Sequence, residues 1–163
     1  MAENIVTNSN HSTEEKYILL LKQLKGLLSN KDNFLSNLSN LTASLKQSFD
    51  KISWVGFYLF DGKRLYLGPF QGSVACTEIE MGKGVCGTSA EKSQSIIVPD
   101  VDKFPGHIVC DAGSRSEIVV PIIKNGELFG VLDIDSYEYN SFDEIDRKYL
   151  EKICTFLSKE ILN

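Results

Sequence analysis

The first fifty residues carry the hydrophobic spacing of two helices. Ser12 and Glu15 stand at the spacing of a capping box, and leucines then recur on one helical face. From Phe34 the apolar positions step by three or four residues as far as Phe49. Each pattern predicts a helix with one face to bury, and the polar residues 1–11 before them predict a flexible leader.

The middle of the chain has the residue pattern of β-hairpins. Residues 53–60 are rich in aromatic and branched side chains, and the Asp-Gly pair that follows predicts a turn into a strand at 65–67. Residues 117–123 and 127–136 flank an Asn-Gly pair, whose residues suit the positive φ angles of a tight turn. We therefore predict two antiparallel hairpins.

The segment between the two hairpins is less regular. We predict a strand over residues 74–79, then a short helix that follows the glycine-rich residues 81–87 and ends at Lys92. Residues 96–98 predict another short strand. The prolines and glycine after it favour an irregular loop up to the second hairpin.

The C-terminal segment predicts one more helix, which completes the fold. Ser141 and Glu144 stand at capping-box spacing, and apolar residues then repeat at helical intervals as far as Ile161. Because hairpins dominate between terminal helices, we expect an α+β fold with a central antiparallel sheet, the terminal helices on one face and loops over the other. A length of 163 residues fits one domain, which we place at residues 12–163.

Composition and charge exclude several classes of partner. The formal charge of -5 leaves no broad basic surface for nucleic acid. No apolar run approaches the roughly 20 residues that span a bilayer, and the first residues lack the pattern of a signal peptide. We expect a cytoplasmic protein with neither nucleic acid nor a membrane as its partner.

The four cysteines are the main chemical signal. In a cytosolic chain they are read as reduced thiols, metal ligands or catalytic groups rather than a disulfide framework. Cys154 lies on the apolar stripe of the last helix and is predicted to pack there. Cys76, Cys86 and Cys110 lie among glycines and polar residues, where a thiol can be exposed and can move onto another thiol.

A metal site is an alternative for these cysteines. It would use Cys76, Cys86, His107 and Cys110, since the last two stand at a short ligand spacing. The chain lacks a paired C-x-x-C motif, so we predict no metal and no bound cofactor.

Three acidic residues share the second hairpin. Asp133 and Asp135 are two positions apart on one strand and therefore project to the same face, and Glu117 begins the partner strand. Such a cluster suits binding of a cationic amino group and, if repulsion raises one pKa, donation of a proton. The alternative is an exposed polar face of the strand.

Seven segments together resemble one known family, the GAF-domain free methionine-(R)-sulfoxide reductases. The segments are WVGFY at 54–58, GPFQG at 68–72, GKGVCG at 82–87, VPDV at 98–101, HIVCD at 107–111, SRSE at 114–117 and LDIDS at 132–136. The resemblance extends from Tyr17 to Ile161. The GAF fold also serves as a sensor of small molecules, so the cysteines carry the enzyme assignment.

The resemblance implies a cysteine cycle. In similar proteins the residue matching Cys110 attacks the sulfoxide sulfur, the residue matching Cys86 is the main resolving thiol, and Cys76 can join the exchange. The sulfenic acid formed on Cys110 condenses with a neighbouring thiol, and thioredoxin would reduce the disulfide. The resemblance also suggests a homodimer.

The resemblance assigns a pocket as well. It places Glu117, Asp133 and Asp135 around the substrate, with Trp54 and Tyr58 as a wall for the methylthio group. The alternative for the two aromatic residues is simple core packing. The segment Ser114, Arg115 and Ser116 precedes the strand, where successive N–H groups would bind a carboxylate, although Arg115 also fits a solvated loop charge.

The sequence is also compatible with two other functions. One is a GAF module that binds a small ligand and transmits its occupancy through the terminal helices. The other is a redox switch without turnover, because reactive cysteines alone would satisfy it. Catalytic reduction of methionine sulfoxide would exclude both.

Overall fold

The computed structural model describes residues 4–162, which form a six-stranded sheet with helices on both faces. The helices are α1 (Thr13–Leu27), α2 (Phe34–Ser48), α3 (Gly84–Lys92) and α4 (Glu144–Phe156). The strands are β1 (Trp54–Phe60), β2 (Arg64–Gln71), β3 (Glu78–Glu80), β4 (Ile96–Val98), β5 (Ser116–Lys124) and β6 (Glu127–Ser136). A 3₁₀ turn spans Val101–Lys103, and a π-helical turn, Leu157–Ile161, extends α4.

The sheet is antiparallel throughout and has the order β3-β2-β1-β6-β5-β4. Both predicted hairpins are present, as β1–β2 and β5–β6. At the turn of the second hairpin, Asn125 and Gly126 have φ angles of 53° and 83°. These are the left-handed conformations that an Asn-Gly pair adopts readily. The predicted α+β fold class with a central antiparallel sheet is confirmed.

Strand alternation divides the interior into two cores. Val55 and Phe57 of β1 project toward α1, α2 and α4, and they join the larger apolar cluster. Trp54 and Tyr58 project to the opposite face and join a second cluster, which includes α3. The terminal helices therefore share one face of the sheet, as predicted, whereas α3 and the long loops cover the other face.

A buried ion pair fixes the helical layer against the sheet. Asp146 of α4 is 1% exposed, and its carboxylate lies 2.7 Å from the Lys51 ammonium, just before β1. The Tyr17 hydroxyl of α1 donates to the same carboxylate at 2.8 Å. Loss of one partner of such a pair leaves a buried charge without compensation, so these contacts stabilise the packing of α1 and α4.

Two element boundaries differ from the sequence prediction. The strand predicted over residues 74–79 is confined to Glu78–Glu80, because the preceding loop makes other contacts, described below. The last helix is capped by Asp143, not Ser141: Asp143 accepts hydrogen bonds from the N–H groups of Ile145 and Asp146. The Ser141 hydroxyl already donates to the Glu138 carbonyl and contacts the Ser136 hydroxyl, so it does not serve as a cap.

The two ends of the chain lie partly outside the described residues. Residues 4–11 contain no helix or strand, and the Val6 N–H donates to the Gln23 side chain of α1. Residues 1–3 of the predicted leader and residue 163 of the predicted domain lie outside the described residues, and the boundary at residue 12 stays a prediction. No helix in residues 4–162 combines the length and apolarity needed to cross a bilayer.

Candidate active site

A small pocket lies between α3, the sheet and two loops. One loop precedes β3 and carries Cys76, and the other precedes β5 and carries Cys110. The enclosed space is about 40 Å³. The side chains used below line it: Trp54, Tyr58, Lys83, Cys86, His107, Cys110, Asp111, Ser114, Glu117, Asp133 and Asp135.

A disulfide joins the two loops at this pocket. Cys76 and Cys110, which are 34 positions apart in sequence, are bonded, with their Cα atoms 5.4 Å apart. Both residues are half-buried. The family resemblance implied Cys86 as the main resolving thiol, with Cys76 able to join the exchange; in the structure Cys76 makes the disulfide and Cys86 is a free thiol.

The two free cysteines lie on opposite faces of the sheet. Cys86 belongs to α3 and lines the pocket, where burial, followed by the negative charges of Asp133 and Glu117, raises its pKa well above the ordinary value. Its sulfur lies 4.0 Å from Oε1 of Glu117. Cys154 packs among apolar side chains of the helical layer, and burial raises its pKa as well. The structure therefore separates Cys154 from the other three cysteines.

The sheet register brings the three carboxylates together. Glu117 of β5 is paired with Asp135 of β6, and Asp133 projects to the same face two residues earlier. Glu117 and Asp133 are each 6% exposed, so this face of the hairpin is a buried pocket wall rather than a solvated surface. The alternation of β6 therefore places its apolar Leu132 and Ile134 against the helices and its carboxylates in the pocket.

Burial determines the protonation of this cluster. It raises the pKa of Asp133 to about 6, and it raises the pKa values of Glu117 and Asp135 well above their ordinary range, with the charge of Asp133 as the next cause for both. Oδ1 of Asp133 is buried and has no hydrogen-bond partner among residues 4–162. The cluster is therefore able to hold protons at neutral pH and to accept a cation.

Trp54 and Tyr58 form one wall of the pocket and also belong to the second core. Tyr58 is 1% exposed, and the Trp54 ring stacks on Phe70 with centroids 5.5 Å apart. The Trp54 ring lies across Gly56, where an added Cβ would stand 2.3 Å from its ring carbon Cη2. A glycine at this position is required for the ring to lie flat against the strand. Trp54 and Tyr58 therefore line the pocket and at the same time pack in the second core.

The same two aromatics bind the loop that carries Cys76. The Trp54 indole N–H donates to the Ser73 carbonyl at 3.0 Å, and the Tyr58 hydroxyl donates to the Cys76 carbonyl at 3.0 Å. These bonds give the carbonyl oxygens of Ser73 and Cys76 side-chain donors in place of a neighbouring strand. They explain why this segment does not continue the β3 ladder.

Comparison with known proteins decides the family. The model of the GAF domain matches residues 35–161. The chain is 53% identical to GAF domain-containing protein A of Dictyostelium discoideum over 96% of this chain and 99% of that protein. It is 44% identical to the free methionine-R-sulfoxide reductase of Saccharomyces cerevisiae over 97% of this chain and 92% of that enzyme.

A solved structure supports the same family. The free methionine-R-sulfoxide reductase of Neisseria meningitidis, determined in complex with its substrate, is 41% identical and superposes with a TM-score of 0.89 over 96% of this chain and 95% of that one. The chain belongs to the GAF-domain free methionine-R-sulfoxide reductases. Its relatives of that name indicate an oxidoreductase.

In this member of the reductase family, the segment before β5 differs from the anion-binding loop that the sequence predicts. Ser114 lines the pocket, and its hydroxyl lies 2.5 Å from Oδ1 of Asp135. The N–H groups of Ser114 and Arg115 donate to the carbonyls of Asp111 and Ser136. The Ser116 hydroxyl donates to a backbone carbonyl as well. These donors are therefore already used, and the N–H groups do not form the anion nest expected from the sequence.

The first turn of α3 also lines the reductase pocket, and the sequence reasoning assigned it no role in binding. Lys83, Gly84, Val85 and Cys86 line the pocket at the first turn of α3. The first N–H groups of a helix have no acceptor within the helix, and Lys83 adds a cation. The glycine-rich sequence before a helix was the available signal, because this pattern recurs where anions bind helix N-termini.

His107 is a second residue of the reductase pocket without a role assigned from the sequence. Its Nε2 lies 3.7 Å from Oε2 of Glu117. Burial lowers the pKa of His107, so the imidazole is neutral at neutral pH. It therefore adds no permanent positive charge to the carboxylate cluster.

Proposed function

We propose that the protein reduces free methionine-(R)-sulfoxide to methionine, with Cys110 as the attacking thiol. The observation that carries this proposal is a disulfide, Cys76–Cys110, in the wall of a pocket that also holds three carboxylates, two of them buried. Similarity to free methionine-R-sulfoxide reductases supports the choice of substrate.

The reaction balances through two thiols. The Cys110 thiolate attacks the sulfoxide sulfur and a proton reaches the sulfoxide oxygen. The S–O bond of the substrate breaks as this oxygen is transferred to the Cys110 sulfur, so methionine leaves and Cys110 becomes a sulfenic acid. The thiol of Cys76 then attacks the sulfenic sulfur, which releases water and forms the disulfide. Two electrons have passed from the protein to the sulfoxide.

The order of the resolving thiols follows from accessibility. Cys76 and Cys110 lie on two loops that meet, whereas Cys86 is held in α3 and its buried thiol strongly favours the protonated form. A protonated thiol is a poor nucleophile. We therefore assign the first resolving step to Cys76. Cys86, at the pocket floor, is assigned only a secondary role in resolving the sulfenic acid.

Each part of the substrate meets a complementary surface. The ammonium group is paired with the carboxyl groups of Glu117, Asp133 and Asp135, and Oδ1 of Asp133 has no other hydrogen-bond partner among residues 4–162. The α-carboxylate is placed at the N-terminus of α3 with Lys83. The methylthio group lies against Trp54 and Tyr58.

The carboxylate cluster also supplies the proton. Burial raises the pKa of Glu117 and of Asp135, so a carboxylic acid persists in the pocket at neutral pH. A group protonated at the working pH serves as a general acid for the leaving oxygen. The remaining ionised carboxylate holds the ammonium.

The disulfide needs an external dithiol, and we assign this role to thioredoxin. The half-buried disulfide is flanked by Val74 and Val109, which are 87% and 63% exposed. Exposed apolar side chains next to a reducible bond suit contact with a protein reductant. The homodimer and the cytoplasmic location stay predictions, as does the lack of a bound cofactor.

An assay of substrate form tests the proposal. The purified protein is supplied with excess dithiol and with free methionine-(R)-sulfoxide, free methionine-(S)-sulfoxide or a peptide that contains the sulfoxide, and methionine is quantified by chromatography. We expect many equivalents of methionine per chain from the free R epimer alone. At most one equivalent from every substrate would instead support a redox switch, and none would support a binding module.

A further inference from the structure

A cation-sized site lies at the floor of the pocket. One ligand atom each from Cys86, Glu117 and Asp133 lies within 4.8 Å of the other two, and all three residues are buried. The group combines a sulfur with two carboxylate oxygens. Borderline metal ions such as Zn²⁺ and Co²⁺ accept this mixture, whereas Mg²⁺ and Ca²⁺ prefer oxygen alone.

One atom of this group points to a missing ligand. Oδ1 of Asp133 is buried without a hydrogen-bond partner among residues 4–162, although Asp133 is only 6% exposed. A buried carboxylate oxygen in this state is costly unless a cation or donor reaches it.

The pocket in the disulfide form has room for an ion beside Asp133. Water-sized groups can reach about 40 Å³ of space in it, and about 10–15 Å³ of such space suffices for one water molecule. A metal ion with a bound water is accommodated in that volume. Ligand atoms around zinc stand about 3.3–3.7 Å apart, so closure of the group requires only small side-chain rotations.

We propose that Cys86, Glu117 and Asp133 bind a borderline divalent metal ion, of the Zn²⁺ or Co²⁺ class, in the disulfide form of the protein. The Cys86 thiol loses its proton to solvent as the sulfur binds. His107 lies outside this group: its Nε2 is 3.7 Å from Oε2 of Glu117, so it would need to move to become a fourth ligand. On the proposed function, the ion occupies the carboxylates that bind the ammonium group and is therefore an inhibitor, not a cofactor.

The disulfide form makes the site testable without interference. Cys76 and Cys110 are bonded to each other, so Cys86 and Cys154 are the thiols left to bind metal. The chelator-treated, oxidised protein is titrated with Co²⁺, and the near-ultraviolet charge-transfer absorption of a thiolate bound to cobalt is recorded. We expect one Co²⁺ per chain with this band, and displacement of the ion by Zn²⁺.

Variants identify the ligands. Cys86→Ser should abolish the band, and Asp133→Asn should weaken Co²⁺ binding by more than about tenfold. Cys154→Ser is the matched control and should leave both unchanged. Circular dichroism confirms folding, and Glu117→Gln replaces Asp133→Asn if that variant does not fold. Absence of the band, or its persistence in Cys86→Ser, overturns the proposal.

The outcome is separable from the proposed function. Reduction of free methionine-(R)-sulfoxide is measured on metal-free, reduced protein, which needs no metal site. A protein that turns over but fails to bind Co²⁺ disproves the metal site alone. A protein that binds Co²⁺ through Cys86 but yields no methionine disproves the reductase assignment alone.

Discussion

The Tyr58 hydroxyl donates a hydrogen bond of 3.0 Å to the carbonyl oxygen of Cys76, whose sulfur is bonded to Cys110. Tyr58 thus holds the loop that presents Cys76. We expect Tyr58→Phe to keep the aromatic wall but to slow disulfide formation after sulfoxide reduction by roughly 2- to 10-fold, the worth of one neutral hydrogen bond. Single turnovers, quenched with a thiol-alkylating reagent and analysed by mass spectrometry, measure this step.

Tyr66→Phe is the control for this prediction, because Tyr66 is an exposed tyrosine on the neighbouring strand β2. It should behave like the native protein. The KM for the sulfoxide should change little in either variant, since neither loses the ring. A rise in KM with unchanged disulfide formation in Tyr58→Phe would mean that the hydroxyl serves the substrate and not the loop.

The cysteine roles predict distinct products from one turnover. Cys110→Ser should form no methionine above background, because it lacks the attacking thiol. Cys76→Ser should form up to one equivalent and then accumulate sulfenic acid, which a dimedone probe traps. Cys154→Ser should retain turnover, since that thiol packs on the far face of the sheet.

Cys86→Ser distinguishes the two resolving thiols. If Cys76 resolves first, Cys86→Ser forms the Cys76–Cys110 disulfide at the native rate. If Cys86 is the main resolving thiol, as the sequence resemblance implied, this variant accumulates sulfenic acid instead. Non-reducing peptide mapping of the two variants decides between these orders.

The buried Asp133 predicts an unusual dependence of stability on pH. Its pKa is raised from 3.8 to about 6 by burial. Below about pH 4 the carboxyl is protonated in the folded and the unfolded chain, so it has no effect. As pH rises toward about 6, the unfolded chain loses this proton first, and the free energy of unfolding falls. Above that pH the cost is fully present.

Asp133→Asn removes this cost. We expect its free energy of unfolding to exceed that of the native protein by roughly 1–3 kcal/mol at neutral pH, with the difference vanishing near pH 4. Urea titrations across this range measure it, and the exposed Asp50→Asn is the control. A difference that is independent of pH would contradict the assignment to Asp133 ionisation.

N-acetyl-methionine-(R)-sulfoxide tests the role of the carboxylates in selectivity. It keeps the sulfoxide and the carboxylate but replaces the ammonium with an amide, which leaves buried negative charge unpaired. We expect kcat/KM to fall by more than about tenfold, or at least about 2 kcal/mol. Equal efficiency for the acetylated and free substrates would show that Glu117, Asp133 and Asp135 do not bind the amino group.

Local patterns in the sequence were sufficient to predict much of the fold. The Asn125-Gly126 turn, the capping box at Ser12 and the alternation that places Asp133 and Asp135 on one face depend on neighbours within a few residues. Such signals survive in a single sequence. The pairing of Glu117 with Asp135 is not set by the turn alone, because a bulge at Ile122–Ile123 shifts the register of the hairpin by one residue.

The start of β3 and the partner of Cys110 depend instead on tertiary contacts. The segment at Cys76 has strand-like residues, but the Trp54 and Tyr58 side chains bind its carbonyls, so the strand begins only at Glu78. The pairing of Cys76 with Cys110 spans 34 positions and depends on how two loops cross the sheet. No periodicity encodes such a meeting, and the sequence alone could not choose between Cys76 and Cys86.

The single reactive sulfur at the pocket mouth has a kinetic consequence. In the proposed cycle, Cys110 meets the sulfoxide as a thiolate and the reductant as half of the disulfide with Cys76. Sulfoxide and reductant would then react with alternating forms of the protein, without a ternary complex. Initial rates at several reductant concentrations should give parallel double-reciprocal lines, the signature of a ping-pong mechanism.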